Sequence, residues 1–170
     1  MILIALGANL ETERFGPPER GLQAALHRLH ALGAAPRQCS SWYRSAPLPA
    51  ASQPWFINGV AELECDLPAT ALMTLLLSIE TEFGRQRGVQ NAARVLDLDL
   101  IDFAGEILNK AADDDGPALQ LPHPRLTERA FVLLPLAEIA PNWRHPENGR
   151  QIDDLIADLP PGQQIERCES

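Results

Sequence analysis

Val95-Leu96-Asp97-Leu98-Asp99-Leu100-Ile101 sets two carboxylates into a run of apolar residues that favour strands. On a strand, residues i and i+2 share a face, so Asp97 and Asp99 project together while Leu96, Leu98 and Leu100 point the other way. A rise of about 3.3 Å per residue puts their Cα atoms about 6–7 Å apart. Two like charges that close raise each other's pKa unless a cation offsets the repulsion. The pair therefore suits one hard cation shared between them, or two bridged by them. An edge strand with two solvated acids is the other local reading.

The chain has 170 residues, 45% of them hydrophobic and 22% charged. Those values suit one soluble globular domain spanning 1–170. A net charge of −9 argues against a general nucleic-acid binder. Arg supplies 13 of the 14 basic residues and Lys110 the other, a bias towards the side chain that grips phosphate bidentately. Cys39, Cys65 and Cys168 form no C-x-x-C pair and read as free thiols of a reducing compartment. MILIALGANL has no basic leader and too short an apolar run to span a membrane. Together these features lead to the expectation of a cytoplasmic protein.

Upstream of the acids, Met1 to Leu6 reads as a buried strand broken at Gly7-Ala8-Asn9, where glycine suits a close backbone approach. Pro17 and Pro18 open a helix carrying Leu22, Ala25, Leu26, Leu29 and Leu32, capped by Gly33. His27 and His30 fall on its solvated face. Cys39 to Arg44 alternates as a strand. Residues 45–54 form a proline-rich loop of a length that is often functional. Trp55 to Cys65 resumes as a strand with Ile57, Gly59, Ala61, Leu63 and Cys65 on one face and Asn58, Val60, Glu62 and Glu64 on the other.

Asp66 and Pro68 open a second helix, with Leu72, Leu75, Leu76, Ile79 and Phe83 as its buried stripe, Glu80 on its last turn and Gly84 as its stop. The loop from Arg85 to Arg94 holds Arg85, Arg87 and Arg94 and leads straight into the acidic strand. Guanidiniums upstream of two metal-seeking acids are what an enzyme handling polyphosphate needs. Downstream, Asp113-Asp114-Asp115 reads as a solvated acidic loop, and Leu121 to Arg125 as an extended proline-flanked segment. Phe131 to Ile139 is an apolar element, helical around Leu136 to Ile139, and Ile152 to Leu159 a terminal helix. Strand, helix, strand, strand, helix, strand predicts an α+β fold: a ferredoxin-like antiparallel sheet with helices packed on it, an α/β/α sandwich.

Four stretches in order carry a resemblance: ILIALGANL; SSWYRSAPL with QPWFINGVAELE; IETEFGRQR with RVLDLDLI; and LPHPRLTERAFVLLPLAEIAP. Together they resemble the 6-hydroxymethyl-7,8-dihydropterin pyrophosphokinases, which transfer pyrophosphate from ATP to a pterin alcohol in folate biosynthesis. The resemblance implies that Asp97 and Asp99 ligate two Mg²⁺ ions and that Arg85 and Arg94 act on the phosphates. It implies ATP contacts from Glu80, Arg87, Leu100, His123 and Arg129. It also implies pterin contacts from Gly7, Ser45, Ala46, Leu48, Phe56, Asn58 and Phe131. The implied partners are ATP and a reduced pterin, with no nucleic acid or membrane, and the implied working form is a monomer. The sequence departs from the family pattern at Gln90-Asn91-Ala92-Ala93, where Arg-Trp-Gly-Pro is usual. Ala46 stands for a common Pro, Phe56 for a common Tyr, and Ala118 and Gln120 near a common Arg and Thr. A paralogue acting on another pterin or alcohol, and a non-catalytic ferredoxin-like binding domain, are the rival readings.

Overall fold

A computed structural model describes residues 1–85, 93–114 and 116–169. Its strands are β1 (Ile2–Ala8), β2 (Ala35–Cys39), β3 (Tyr43–Ser45), β4 (Phe56–Glu64), β5 (Asp97–Phe103), β6 (Leu108–Lys110), β7 (Leu119–Leu121) and β8 (Ile165–Arg167). The helices are α1 (Pro18–Ala31), α2 (Ala69–Glu82), α3 (Ala130–Ile139) and α4 (Ile152–Ala157). The main sheet runs β5-β1-β4-β3-β8, and β2 also pairs with β4. Every pairing in it is antiparallel. This is the predicted α+β arrangement, with helices on both faces. Helices α1 and α2 cover one face through Leu22, Leu29, Leu72, Leu76 and Ile79, which meet Ile4, Leu6, Ala61 and Leu98. Helices α3 and α4 cover the other through Leu133, Leu136, Ile152 and Leu155, which meet Leu3, Ala5, Val60 and Ile101.

Strand β1 runs two residues past the predicted break, because Gly7 and Ala8 still pair with Asn58 and Ile57 of β4. The register between β1 and β5 slips between Leu3 and Ile4 and skips Ile101. That bulge lets Ile101 and Asp102 both serve the α3 face, where Asp102 accepts a 2.6 Å hydrogen bond from Trp143 Nε1.

The single strand expected over Cys39 to Arg44 is two strands with an interruption at Ser40–Trp42. Ser40 Oγ accepts from Val60 N at 3.0 Å, taking a ladder bond away from the backbone. The Trp42 ring then lies over Gly59, where a Cβ would come within 2.7 Å of Cζ3. Helix α3 covers all of Ala130–Ile139 although Pro135 lies inside it. The helix is longer than the stretch around Leu136 to Ile139 expected from the sequence, and burial of Val132, Leu133, Leu136 and Ile139 on the sheet outweighs the hydrogen bond that Pro135 cannot make. Helix α4 stops at Ala157, two residues before the predicted end at Leu159, and Leu32 of the predicted α1 stripe is exposed. The hairpin β6–β7 and the strand β8, each too short to alternate visibly, were not foreseen.

Gly59→Ala should destabilise the protein by about 1–3 kcal/mol, because the Trp42 ring fills the space that a methyl group would need. The midpoint of a urea titration checks this, with an unchanged midpoint as the contrary result.

Candidate active site

The acidic strand, the proline-rich loop, Arg94 and α3 meet at one cavity of about 280 Å³. Asp97 and Asp99 are in its lining, with Arg94 and Arg129. Gly7, Ser45, Ala46, Leu48, Phe56, Asn58 and Phe131, all expected on the pterin side, line the same cavity. Sheet register explains the meeting. Gly7 pairs with Asn58 on one side and Asp97 on the other, so these three positions sit abreast on one face. A Cβ on Gly7 would lie 3.4 Å from Asn58 Oδ1 and 4.0 Å from Asp97 Cβ.

Asn58 is 4% exposed. Its Nδ2 donates to Ser45 Oγ at 2.9 Å and to the carbonyl oxygens of Tyr43 and Phe56 at 3.3 and 3.4 Å. Those carbonyls accept only, which fixes the amide's orientation and leaves Oδ1 as its acceptor.

The two aspartates are balanced by different cations. Arg85 and Arg94 bring Nη1 to 2.8 and 2.5 Å from Asp97 Oδ1. Both approach off the hydrogen-bonding direction, so this buried oxygen is paired by charge and holds no directed hydrogen bond. Asp99 Oδ2 meets Arg129 Nη1 at 3.4 Å and His123 Nε2 at 4.0 Å. Burial, and then the Asp97 charge, hold the Asp99 carboxyl above its usual range against His123, Arg129 and Arg94. Burial pushes the His123 imidazole down, against the pull of Asp99. His123 Nδ1 accepts from Arg125 N at 3.1 Å, so the neutral ring carries its proton on Nε2, the nitrogen nearest Asp99.

Glu80 reaches the site from behind. It is 1% exposed on the last turn of α2, and its Oε1 accepts from Leu98 N at 2.7 Å, between the two aspartates. Gly84, at φ +91°, ends the helix. Gly84 N then donates to Thr81 O and Arg85 N to Glu80 O, the paired bonds of a Schellman stop. The Arg85 guanidinium folds back onto the Glu80 carboxylate. Burial still outweighs that ion pair and the Leu98 bond, and with the charges of Asp97 and Asp99 it carries the Glu80 carboxyl up to about 7.

Of the residues expected to touch ATP, His123 and Arg129 stand beside Asp99, and Glu80 lies beneath the acidic strand. The Leu100 side chain is packed in the core at 2% exposure, so it reaches neither cavity. Arg87 and the Gln90–Asn91–Ala92 departure lie outside the described residues, as does Asp115 of the acidic loop. A second cavity of about 350 Å³ opens beside His123, lined also by Asn109, Gln120, Pro122 and Thr127. His27 and His30 are both exposed on α1, as expected.

Sequence reasoning missed several residues. Asn9 joins both loops to the sheet: Asn9 N donates to Arg94 O and its Oδ1 accepts from Arg94 N, while its Nδ2 donates to Pro54 O and Gln53 Oε1. Only the Gly7-Ala8-Asn9 motif hinted at it. Arg125, Glu128, Pro160, Pro161 and Gln163 also line the main cavity. Of these, Arg125 and Glu128 fell within a stretch singled out in the sequence, LPHPRLTERAFVLLPLAEIAP, and Pro160, Pro161 and Gln163 fell in none.

A divalent cation suits these donors. Among the described residues no three His, Cys, Asp or Glu side chains form a metal cluster. Mg²⁺ is commonly held by one or two carboxylates, with substrate phosphates and water completing its shell. Asp97 and Asp99 provide that number, and Asp97 Oδ1 has no hydrogen bond to lose.

Residues 3–141 match the model of the 7,8-dihydro-6-hydroxymethylpterin-pyrophosphokinase (HPPK) family. The chain belongs to this family. It is 41% identical to a Synechocystis protein named 2-amino-4-hydroxy-6-hydroxymethyldihydropteridine pyrophosphokinase, over 91% of this chain and 73% of the relative. It is 39% identical to the Pseudomonas aeruginosa protein of the same name, over 94% of this chain and 91% of the relative. In fold it is similar to an HPPK-DHPS crystallised with substrates, at a TM-score of 0.71 and 12% identity over 92% of this chain. A Plasmodium falciparum HPPK-DHPS with pteroate gives 0.67 at 13% identity, also over 92% of this chain. The chain spans 42–43% of the length of those two proteins.

Glu80→Gln should flatten the dependence of stability on pH in the ligand-free protein. A folded-state pKa of about 7 against an ordinary 4.5 means that the folded protein holds this proton more tightly. Its contribution is full below about 4.5 and is lost as pH rises through about 7. Urea titrations across that range check this; equal slopes for wild type and variant are the contrary result.

Proposed function

We propose that this chain transfers pyrophosphate from ATP to the hydroxymethyl group of 6-hydroxymethyl-7,8-dihydropterin, giving AMP and the pterin diphosphate, as a step of folate biosynthesis. One observation carries this reading beyond family membership. The seven residues expected on the pterin side line a single cavity together with the paired aspartates, Arg94 and Arg129. About 280 Å³ is near the lower end for ligand sites, which suits a bicyclic heterocycle.

In this reading the pterin lies between Phe56 and Phe131. Asn58 Oδ1 accepts from the ring edge, and the hydroxymethyl group points to the aspartates. Asp97 and Asp99 would hold two Mg²⁺ ions, which would supply Lewis-acid charge to the triphosphate. Arg85 and Arg94, now held at Asp97, are the guanidiniums that phosphate oxygens take up as charge develops. Arg129 and His123 lie on the nucleotide side, and the second cavity beside His123 offers room for the rest of ATP. Glu80 fixes Leu98 between the two acids and holds Arg85 at the edge of the site. The loop 45–55, which gives Ser45, Ala46, Leu48 and Gln53 to the cavity, closes over the substrates and excludes water. Residues 1–170 act as one domain and as a monomer in the cytoplasm. No helix among the described residues is long and apolar enough to cross a membrane.

The altered 90–93 stretch favours one second reading, a paralogue that keeps the nucleotide site and takes another pterin or alcohol. Calorimetry with the standard pterin separates the two, tight binding counting against the paralogue.

Incubation with Mg-ATP and the reduced pterin should yield AMP and pterin diphosphate, and absence of AMP at high enzyme concentration would refute the assignment. Asp97→Asn and Asp99→Asn should each cut turnover by roughly a thousandfold or more while leaving the far-ultraviolet spectrum unchanged. Arg94→Ala should lower kcat more than it raises the KM for ATP.

A further inference from the structure

The cavity has a wall that the family match does not cover. That match ends at residue 141, yet Pro160, Pro161 and Gln163 line the same cavity as Asn58 and Phe131. Both anchors of this segment are cavity walls themselves. On one side, Gln164 O accepts from Ala46 N at 3.0 Å, and β8 then pairs antiparallel with β3 through Ile165 and Ser45. On the other, Gln163 Oε1 accepts from Ala130 N at 3.0 Å, while Gln163 Nε2 donates to Glu128 O at 3.0 Å and to Pro160 O at 3.2 Å.

The Gln163 contacts bear on the chemistry. Ala130 N is the first N–H of α3 and has no partner within the helix, so a side-chain oxygen there serves as its cap. The pair of bonds to Glu128 and Ala130 brackets Arg129, whose guanidinium reaches Asp99 and lies 5.5 Å from the Phe131 ring centroid. One amide therefore fixes the backbone on both sides of a residue that touches the acid pair and precedes a pterin-side ring.

We propose that residues 160–164 form a specificity-determining wall of the pterin cavity. In that wall Gln163 is a positioning residue that sets the distance between the Ala46 side and the Phe131 side. The proposal rests on the pyrophosphokinase reading for the identity of the ligand. It implies that the terminal segment, and not only the two long loops, decides which substituted pterins enter.

Steady-state kinetics on the full chain test it with two variants. Gln163→Ala loses three hydrogen bonds at the wall and should raise the KM for the pterin by about tenfold or more, with a smaller rise in the KM for ATP because the same bonds bracket Arg129. Pro161→Trp fills the cavity from an exposed position and should give the same split with an unchanged thermal midpoint. An unchanged pterin KM in both variants overturns the proposal, as does a parallel rise of both KM values with a lowered midpoint. If Gln163→Ala does not fold, Pro161→Trp decides alone. If the wild type makes no AMP, the pyrophosphokinase reading fails. Calorimetry with the pterin then judges the wall: binding to wild type but not to Pro161→Trp supports it, and equal binding or none overturns it.

Discussion

The site depends on one missing side chain. Gly7 lies in the middle of the sheet with Asn58 abreast on one neighbour and Asp97 abreast on the other. A Cβ at that position would stand 3.4 Å from Asn58 Oδ1 and 4.0 Å from Asp97 Cβ, in the space between the two side chains. Glycine leaves the gap between an amide and a carboxylate open, and that gap becomes part of the cavity. No side chain on β1 stands between Asn58 and Asp97 at this level of the sheet. The antiparallel register of β1 against both neighbours thus joins the recognition side to the charged side.

Charge is the second constraint. Two carboxylates on one face would repel if left alone, and the fold answers with cations from several elements. Arg85 comes from the end of α2 and Arg94 from the residues just before β5, while His123 and Arg129 come from the stretch leading into α3. None of these contacts is optimal. Asp97 Oδ1 has charge partners but no directed hydrogen bond, and Arg129 reaches Asp99 only at 3.4 Å. A site balanced in charge but loosely bonded keeps its acids ionisable and its arginines available, since exchanging partners costs little directed bonding. By contrast, Asn58 Nδ2 makes one close directed bond, to Ser45 Oγ at 2.9 Å, with the Tyr43 and Phe56 carbonyls farther off at 3.3 and 3.4 Å.

What the sequence could disclose divides along physical lines. The acid pair and the helix stripes were legible because strand alternation and helical period are local signals. The family pattern placed seven scattered residues that the fold then gathers into one cavity. Long-range pairing was not legible. Nothing in Ile165–Arg167 says that it will join β3, and nothing in Gln163 says that its amide will cap α3. Ser40 interrupts a strand through its own hydroxyl, which alternation cannot register. The first half of α3 was not read as helix, and its length rests on burial of a whole face against the sheet, a long-range contact, with Pro135 inside it.

The acids stand on an edge strand, an arrangement with a cost that the structure meets. An edge strand offers unpaired backbone groups that invite another strand. Here β5 ends the sheet, and its outer side is covered at two points. Leu98 N donates to Glu80 Oε1 at 2.7 Å, and Ile101 O accepts from His123 N at 3.0 Å. These two bonds flank Asp99, and the first lies between the aspartates. The residues that close the edge are therefore among those that serve the site: Glu80 also holds Arg85, and His123 also faces Asp99. An interior strand would have a second strand along this side, leaving no place for these groups. The edge position lets one strand display two acids on its face while Glu80 and His123 fix its height and charge from the side. Burying Glu80 for this purpose raises its pKa, so the same contact that steadies the acid pair makes the fold sensitive to proton concentration near neutrality.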